Sequence, residues 1–158
     1  MFSRDNLIEA VRDSANNGKL LLNPIHSRTI ISNLWHKMSK FEFHAYGSTS
    51  DRLVAGLSVY NSSLPLREHQ TFVILKSDIF GSLRKESDCI LVEFSVESPE
   101  ILMNSVKCLQ KSGHTVKSVI CILDTFNNVG ETLKANKIEY LPMLTKTDLE
   151  NCYEAILD

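Results

Sequence analysis

Short apolar runs alternate along the chain with segments whose apolar residues recur at helical spacing, and the clearest instance runs from Cys89 to Asp124. Cys89-Ile-Leu-Val-Glu-Phe94 and Val116-Lys-Ser-Val-Ile-Cys-Ile-Leu-Asp124 are apolar and rich in β-branched residues. That is the composition of strands covered on both faces. Between them Ile101, Leu102, Val106 and Leu109 share one stripe of a predicted helix. Ser98 suits its N-cap, Pro99 its first position and Glu100 its first turn, while Gly113 suits the residue past its end. Such a strand–helix–strand unit runs parallel, and ligands of parallel sheets sit beyond the carboxyl ends of the strands. Here that end is Glu93 to Pro99.

The rest of the chain repeats the alternation. Leu7, Ile8 and Val11 mark a short helix over 6–14, stopped by Asn16-Asn17-Gly18. Leu20-Leu21-Leu22 reads as a brief extended piece. Ser27 is expected to cap a helix with Ile30, Ile31, Leu34, Trp35 and Met38 on a wide apolar face. Phe41 to Tyr46 reads as a strand, Gly47 to Asp51 as a turn, and Leu53, Val54 and Leu57 as the stripe of a helix broken by Asn61 to Pro65. Thr71 to Leu75 is a strong strand signal, and Lys76 to Ser87 reads as a polar connection. After Asp124 come a short helix to Asn136, an edge-like strand Ile138 to Leu141, and Thr147-Asp148 as the cap of a last helix. The pattern predicts one α/β domain over 1–158, a doubly wound and mostly parallel sheet with flanking helices.

Composition adds exclusions. At 158 residues with 43% hydrophobic and 23% charged residues the chain is an ordinary globular domain. A net charge of -2 supplies no basic field, so nucleic-acid and anionic-membrane binding are not suggested. The four cysteines include no CxxC pair, and the five histidines show no metal-ligand spacing. No metal and no cofactor is expected. No apolar run is long enough to span a bilayer, so an intracellular chain, cytoplasmic or nuclear, is expected.

With the strands placed, the sequence resembles the orotate phosphoribosyltransferases, particularly the form fused into eukaryotic UMP synthase. The likeness rests on Ile90-Leu-Val-Glu93, the loop after it, Cys108-Leu-Gln-Lys-Ser-Gly113 and Val119-Ile-Cys-Ile-Leu-Asp124. Leu133-Lys-Ala-Asn-Lys-Ile138, Leu144-Thr-Lys-Thr-Asp-Leu149 and Phe41 to Gly56 extend it. The resemblance implies the type I phosphoribosyltransferase fold. It also implies two adjacent acids facing the ribose hydroxyls of phosphoribosyl pyrophosphate, then a loop wrapping the 5′-phosphate.

Several positions depart from that pattern. Only Glu93 of the acid pair remains, with Phe94 in the second place. The phosphate loop reads Glu97-Ser98-Pro99, where proline removes a donor and glutamates oppose a phosphate. Thr125 stands where the resemblance implies an orotate-binding arginine, and Lys76 follows Leu75 where an Arg-Lys pair would end a strand. The mobile basic loop looks shortened at Asp78 to Lys85, and no counterpart of the N-terminal hood is found before Leu20. Phe80, Phe94 and Phe126 are expected to form an apolar cluster at the former site. These departures lead to the expectation of a non-catalytic domain, a pseudoenzyme serving as a dimerising protein-interaction scaffold with a protein partner of unknown identity. A ligand sensor without turnover and an active orotate phosphoribosyltransferase with an atypical site are the alternatives. The resemblance implies a homodimer, with Ile30, Ile31, Leu34, Trp35, Phe41, Leu53 and Leu57 as interface candidates.

Overall fold

In the computed structural model, which describes residues 3–16, 23–64, 69–96, 98–125 and 128–154, the strands form one six-stranded sheet. They are β1 (Ala45–Ser48), β2 (Gln70–Leu75), β3 (Asp78–Gly81), β4 (Asp88–Ser95), β5 (Thr115–Asp124) and β6 (Glu139–Thr145), in the order β3-β2-β1-β4-β5-β6. All neighbours pair in parallel except β2 and β3. The helices are α1 (Arg4–Asn16), α2 (Pro24–Met38), α3 (Asp51–Ser62), α4 (Pro99–Lys111), α5 (Val129–Ala135) and α6 (Lys146–Glu154).

The continuous apolar runs are explained by burial on both faces. Ile90 and Val92 of β4 and Ile120 and Ile122 of β5 pack against α1, α2 and α3. Cys89, Leu91, Val119 and Cys121, the residues between them, pack against α4 and α5. Successive strand side chains point to opposite faces, so a strand in the middle of three layers has no polar side. Each such Leu or Ile removed from water contributes about 1.5–3 kcal/mol.

The ends of α4 form as the sequence predicts. The Ser98 hydroxyl accepts from Ile101 N at 3.2 Å, with Pro99 at the first position. At the other end Gly113 takes φ +85, and the bonds Gly113 N to Gln110 O and His114 N to Leu109 O close the helix. That is a Schellman motif, which needs a left-handed residue there.

Elsewhere the structure corrects the expected elements. Asn23, not Ser27, caps α2, its side chain accepting from Ile25 N and His26 N. Ser27 lies one turn inside. The last helix is capped by Thr145, whose backbone N–H and hydroxyl both donate to Asp148, while Asp148 N donates back to the Thr145 hydroxyl. The strand near Phe41 starts only at Ala45, because Phe43 turns into an aromatic group with Trp35 and Tyr46. The polar connection after Leu75 contains β3: Lys76 (φ 49) and Ser77 (φ 68) make a two-residue hairpin turn. Two left-handed residues in succession match the right-handed strand twist, usually through Asn-Gly. Lys-Ser carries no such signal.

The interface candidates are also relocated. Ile30, Ile31, Leu34, Trp35, Leu53 and Leu57 are buried in this chain's own core, and Phe41 is half-buried against the same cluster. The wide apolar face of α2 is used on the sheet, so within the chain these side chains, apart from Phe41, are already covered. Leu20-Leu21-Leu22, the Asn17-Gly18 stop, Glu97 and Phe126 lie outside the described residues.

Candidate active site

β1 and β4 are neighbours, yet β1 leads into α3 on one face and β4 into α4 on the other. Where strand order reverses in this way, the two loops diverge and leave a crevice at the carboxyl edge. Glu93 stands in it. Its side chain lies on the α4 face, is only 6% exposed, and is gripped by the loop after β1. Thr49 N donates to Glu93 Oε1 at 2.9 Å, Thr49 Oγ1 to Oε2 at 2.7 Å, and Ser48 Oγ to Oε2 at 3.3 Å. Burial raises the Glu93 pKa above its ordinary value, and the bonds from Thr49 and Ser48 oppose that shift. Ser48 is fixed in turn, accepting from Ser50 N at 2.9 Å, and Ser50 caps α3. Gly47, just before, admits no Cβ: one built there would run into the Phe72 ring and carbonyl.

A cavity of about 160 Å³ opens beside the carboxyl group. Thr49, Ser95, Ser98 and Ser105 supply hydroxyls to its lining, and Val96, Ile101 and Leu102 supply apolar wall. Pockets for whole drug-sized ligands run to roughly 300–1,000 Å³. This one is the size of a sugar ring, with one desolvated carboxyl as its acceptor.

The sequence-nominated positions fall apart in space. Glu93 and Ser98 line the cavity, and Pro99 follows at the start of α4. Phe94 turns to the opposite face and packs with the α1–α3 cluster. Lys76 is exposed in the β2–β3 turn, which is held to α4 by Cys108 Sγ donating to Ser77 O at 2.9 Å. Thr125 is exposed after β5. Phe80, 55% exposed on β3, is separated from Phe94 by β2 and β1, so these two make no apolar cluster. Sequence reasoning found the loop 47–51 but missed Thr49 as the partner of Glu93, and it missed Ser95 and Ser105 in the lining. The run Ser48-Thr49-Ser50 was the available signal. Among the described residues no group of three or more His, Cys, Asp or Glu could hold a metal ion. Burial pushes the Cys89 and Cys121 thiols up to about 12, so neither is a thiolate at neutral pH.

No protein-family model matches the chain. Among curated proteins it is similar to the orotate phosphoribosyltransferase of Methanosarcina acetivorans, 28% identical over 102 residues, 65% of this chain and 52% of that protein. The same enzyme of Methanosarcina mazei is 27% identical over 74 residues, 47% and 40% of the two chains. The matched region spans about half the length of these relatives. Mycobacterium tuberculosis orotate phosphoribosyltransferase, solved with 5-phospho-α-D-ribosyl 1-diphosphate, superposes at a TM-score of 0.75 and 19% identity, over 94% of this chain and 93% of that one. Leishmania donovani UMP synthase gives 0.76 at 10% identity, over 98% of this chain and 38% of that one.

The chain has the orotate phosphoribosyltransferase fold. The doubly wound, mostly parallel sheet with flanking helices that the sequence pattern predicts is the type I phosphoribosyltransferase arrangement that the resemblance implies. The expectation of a pseudoenzyme is corrected by the same comparisons: the relatives and the matched structures carry the names of transferases, which speaks for an enzyme. In physical terms, the expectation weighed Phe94, Pro99 and Thr125 and overlooked the crevice itself. The orotate phosphoribosyltransferase fold keeps a built, acid-centred cavity at its switch point here. Among the described residues no helix is long and apolar enough to cross a membrane.

Proposed function

We propose that the chain is an active phosphoribosyltransferase with an atypical site, one that takes phosphoribosyl diphosphate at the carboxyl edge and orotate as the acceptor. The observation that carries this is the buried Glu93 carboxyl facing a sugar-sized cavity between β1 and β4. A ribose hydroxyl entering the cavity would take over the acceptor site that Thr49 Oγ1 now occupies. In the transfer, the acceptor nitrogen forms a bond to the anomeric carbon and gives up its proton to water as the bond to the diphosphate oxygen breaks. Diphosphate leaves with the electron pair. Positive charge develops on the ribose as that bond loosens, and a carboxylate held in a water-poor crevice favours it. The N-terminal end of α4 adds a positive dipole beside the cavity, although Ser98 already uses Ile101 N–H and Pro99 offers none. Phe94 and Thr125 make the site atypical, for they leave one ribose acid and no arginine after β5. The dimeric state is a separate proposal resting on resemblance, and light scattering at about twice 17.9 kDa would support it.

The test is orotate consumption with phosphoribosyl diphosphate and Mg²⁺. Turnover above the uncatalysed rate, lowered about 100-fold in Glu93→Gln, is expected for a charged hydrogen bond of about 3 kcal/mol. No turnover, together with no saturable heat on titrating phosphoribosyl diphosphate, would overturn the proposal.

A further inference from the structure

At the opposite, amino-terminal edge of the sheet lies a cavity of about 470 Å³ that the transfer chemistry does not use. Its volume falls inside the roughly 300–1,000 Å³ range of small-molecule sites, unlike the crevice at Glu93. One wall is aromatic. Phe43 and His69 stack with centroids 4.3 Å apart and planes 25° apart, and both line the cavity. Trp35 braces the pair edge-on, 6.5 Å from Phe43 and 5.6 Å from His69. The platform is therefore set before any ligand arrives.

The other wall is charged and anchored. Arg84 N donates to Gln70 Oε1 at 2.9 Å, and Ser87 Oγ donates to Arg84 O at 2.7 Å. The backbone at Arg84 is thus tied on both sides. The Arg84 and Lys85 side chains are exposed beside the cavity and have no ion-pair partner among the described residues. His44 Nδ1 accepts from Asp88 N at 3.0 Å, which leaves its Nε2 as the proton carrier and a donor. Asp88 is balanced by Lys117 at 3.4 Å. Glu42 and Glu86 also line the space, and they suit a ligand that carries N–H donors as well as an anion.

A flat ring, N–H donors and one anionic group occur together in a nucleotide. We infer that the amino edge carries a second small-molecule site, for a nucleoside monophosphate. Its base stacks at Phe43 and His69, its exocyclic N–H groups meet the glutamates, and its phosphate meets Arg84, Lys85 and His44. This goes beyond the transfer reaction and does not depend on it.

Trp35 is the chain's single tryptophan and touches the platform, so its fluorescence reports the site. The full chain is titrated with AMP, GMP, CMP and UMP, with ribose 5-phosphate as the ringless control. At least one nucleotide is expected to give a saturable change with Kd below about 1 mM. Removal of two phosphate-binding cations in Arg84→Ala/Lys85→Ala is expected to weaken it about tenfold or more, since charge-assisted bonds are the strong ones. In Glu93→Gln, where the carboxyl-edge crevice is disabled, the nucleotide response is expected to persist and ribose 5-phosphate to bind more weakly than the nucleotide. Both cations are exposed, and an unchanged thermal transition confirms that the double variant folds. The inference is overturned if no nucleotide gives a saturable response, or if ribose 5-phosphate gives an equal Trp35 response in Glu93→Gln, where the carboxyl-edge crevice no longer competes for it. It is also overturned if the response survives in the double variant and disappears in Glu93→Gln, for the nucleotide would then occupy the carboxyl-edge crevice.

Discussion

The two ends of the sheet handle charge in opposite ways. At the carboxyl edge a single acid is taken out of water and saturated by donors from the neighbouring strand's loop, and the cavity beside it is small. At the amino edge charges of both signs stay in solvent around a larger cavity, and the shape comes from stacked rings and a tied backbone turn. The difference follows from topology. Strands β1 and β4 send their exits to opposite faces, which opens a crevice between two buried chains. At the other end the connection from β3 into β4 folds back onto β2 through Gln70 and Arg84 and stays at the surface. Buried polar groups must be satisfied, so an acid in the crevice is fixed in one geometry. Surface charges carry no such constraint and contribute little alone.

The largest expected effect separates the ends by chemistry. Glu93→Gln is expected to lower the kcat/KM of phosphoribosyl transfer about 100-fold, whereas Arg84→Ala leaves it within about twofold, as steady-state assays would show. Equal losses from the two variants would erase the distinction.

Stability separates them next. Glu93→Ala strips the acceptor from Thr49 N–H and the Ser48 hydroxyl and is expected to cost about 1–3 kcal/mol in urea unfolding. His44→Ala removes only the acceptor of Asp88 N at an exposed site, and about 1 kcal/mol or less is expected. A larger loss at His44 than at Glu93 would reverse the comparison.

Much of this was legible in the chain. The unit from Cys89 to Asp124 announced itself because both its strands are apolar on both faces, and Ser98, Pro99 and Gly113 punctuate the helix between them. Glu93 was nominated by the family resemblance, as the one remaining member of an acid pair. Thr49 was not, since its role depends on pairing β1 beside β4, across 44 residues of sequence. The β2–β3 hairpin hid because Lys76 and Ser77 are unusual residues for a left-handed turn. The apolar stripe of α2 was visible, but a stripe cannot say whether it covers its own sheet or a second copy. Phe94 looked like the loss of a ligand. In the structure it is half-buried against the core of the other face, placed there by the strand's two-residue period.

A smaller effect lies in the pH dependence. The folded pKa of Glu93 is raised by burial, so the stability it contributes by holding a proton is fully present below the ordinary value of 4.5 and is lost as pH rises through the folded value. Asp148 behaves oppositely. Its pKa is lowered, first by the Thr145 backbone bond, so its contribution is present above 3.8 and lost on acidification. Chemical denaturation of the wild type from mildly acidic to neutral pH is expected to show a loss that Glu93→Gln does not share, while Asp148→Asn removes a loss on the acid side. A wild-type curve parallel to that of Glu93→Gln would contradict the assigned burial.

The central claim is that Glu93 receives a ribose hydroxyl, and it is tested most directly by calorimetric titration of ribose 5-phosphate against 2-deoxyribose 5-phosphate, on the wild type and on Glu93→Gln. The account predicts that the 2-hydroxyl improves binding to the wild type by about tenfold, as a charged hydrogen bond does, and that the advantage vanishes in the variant. Equal affinity of the wild type for the two sugars, or an advantage that persists without the carboxylate, would contradict it.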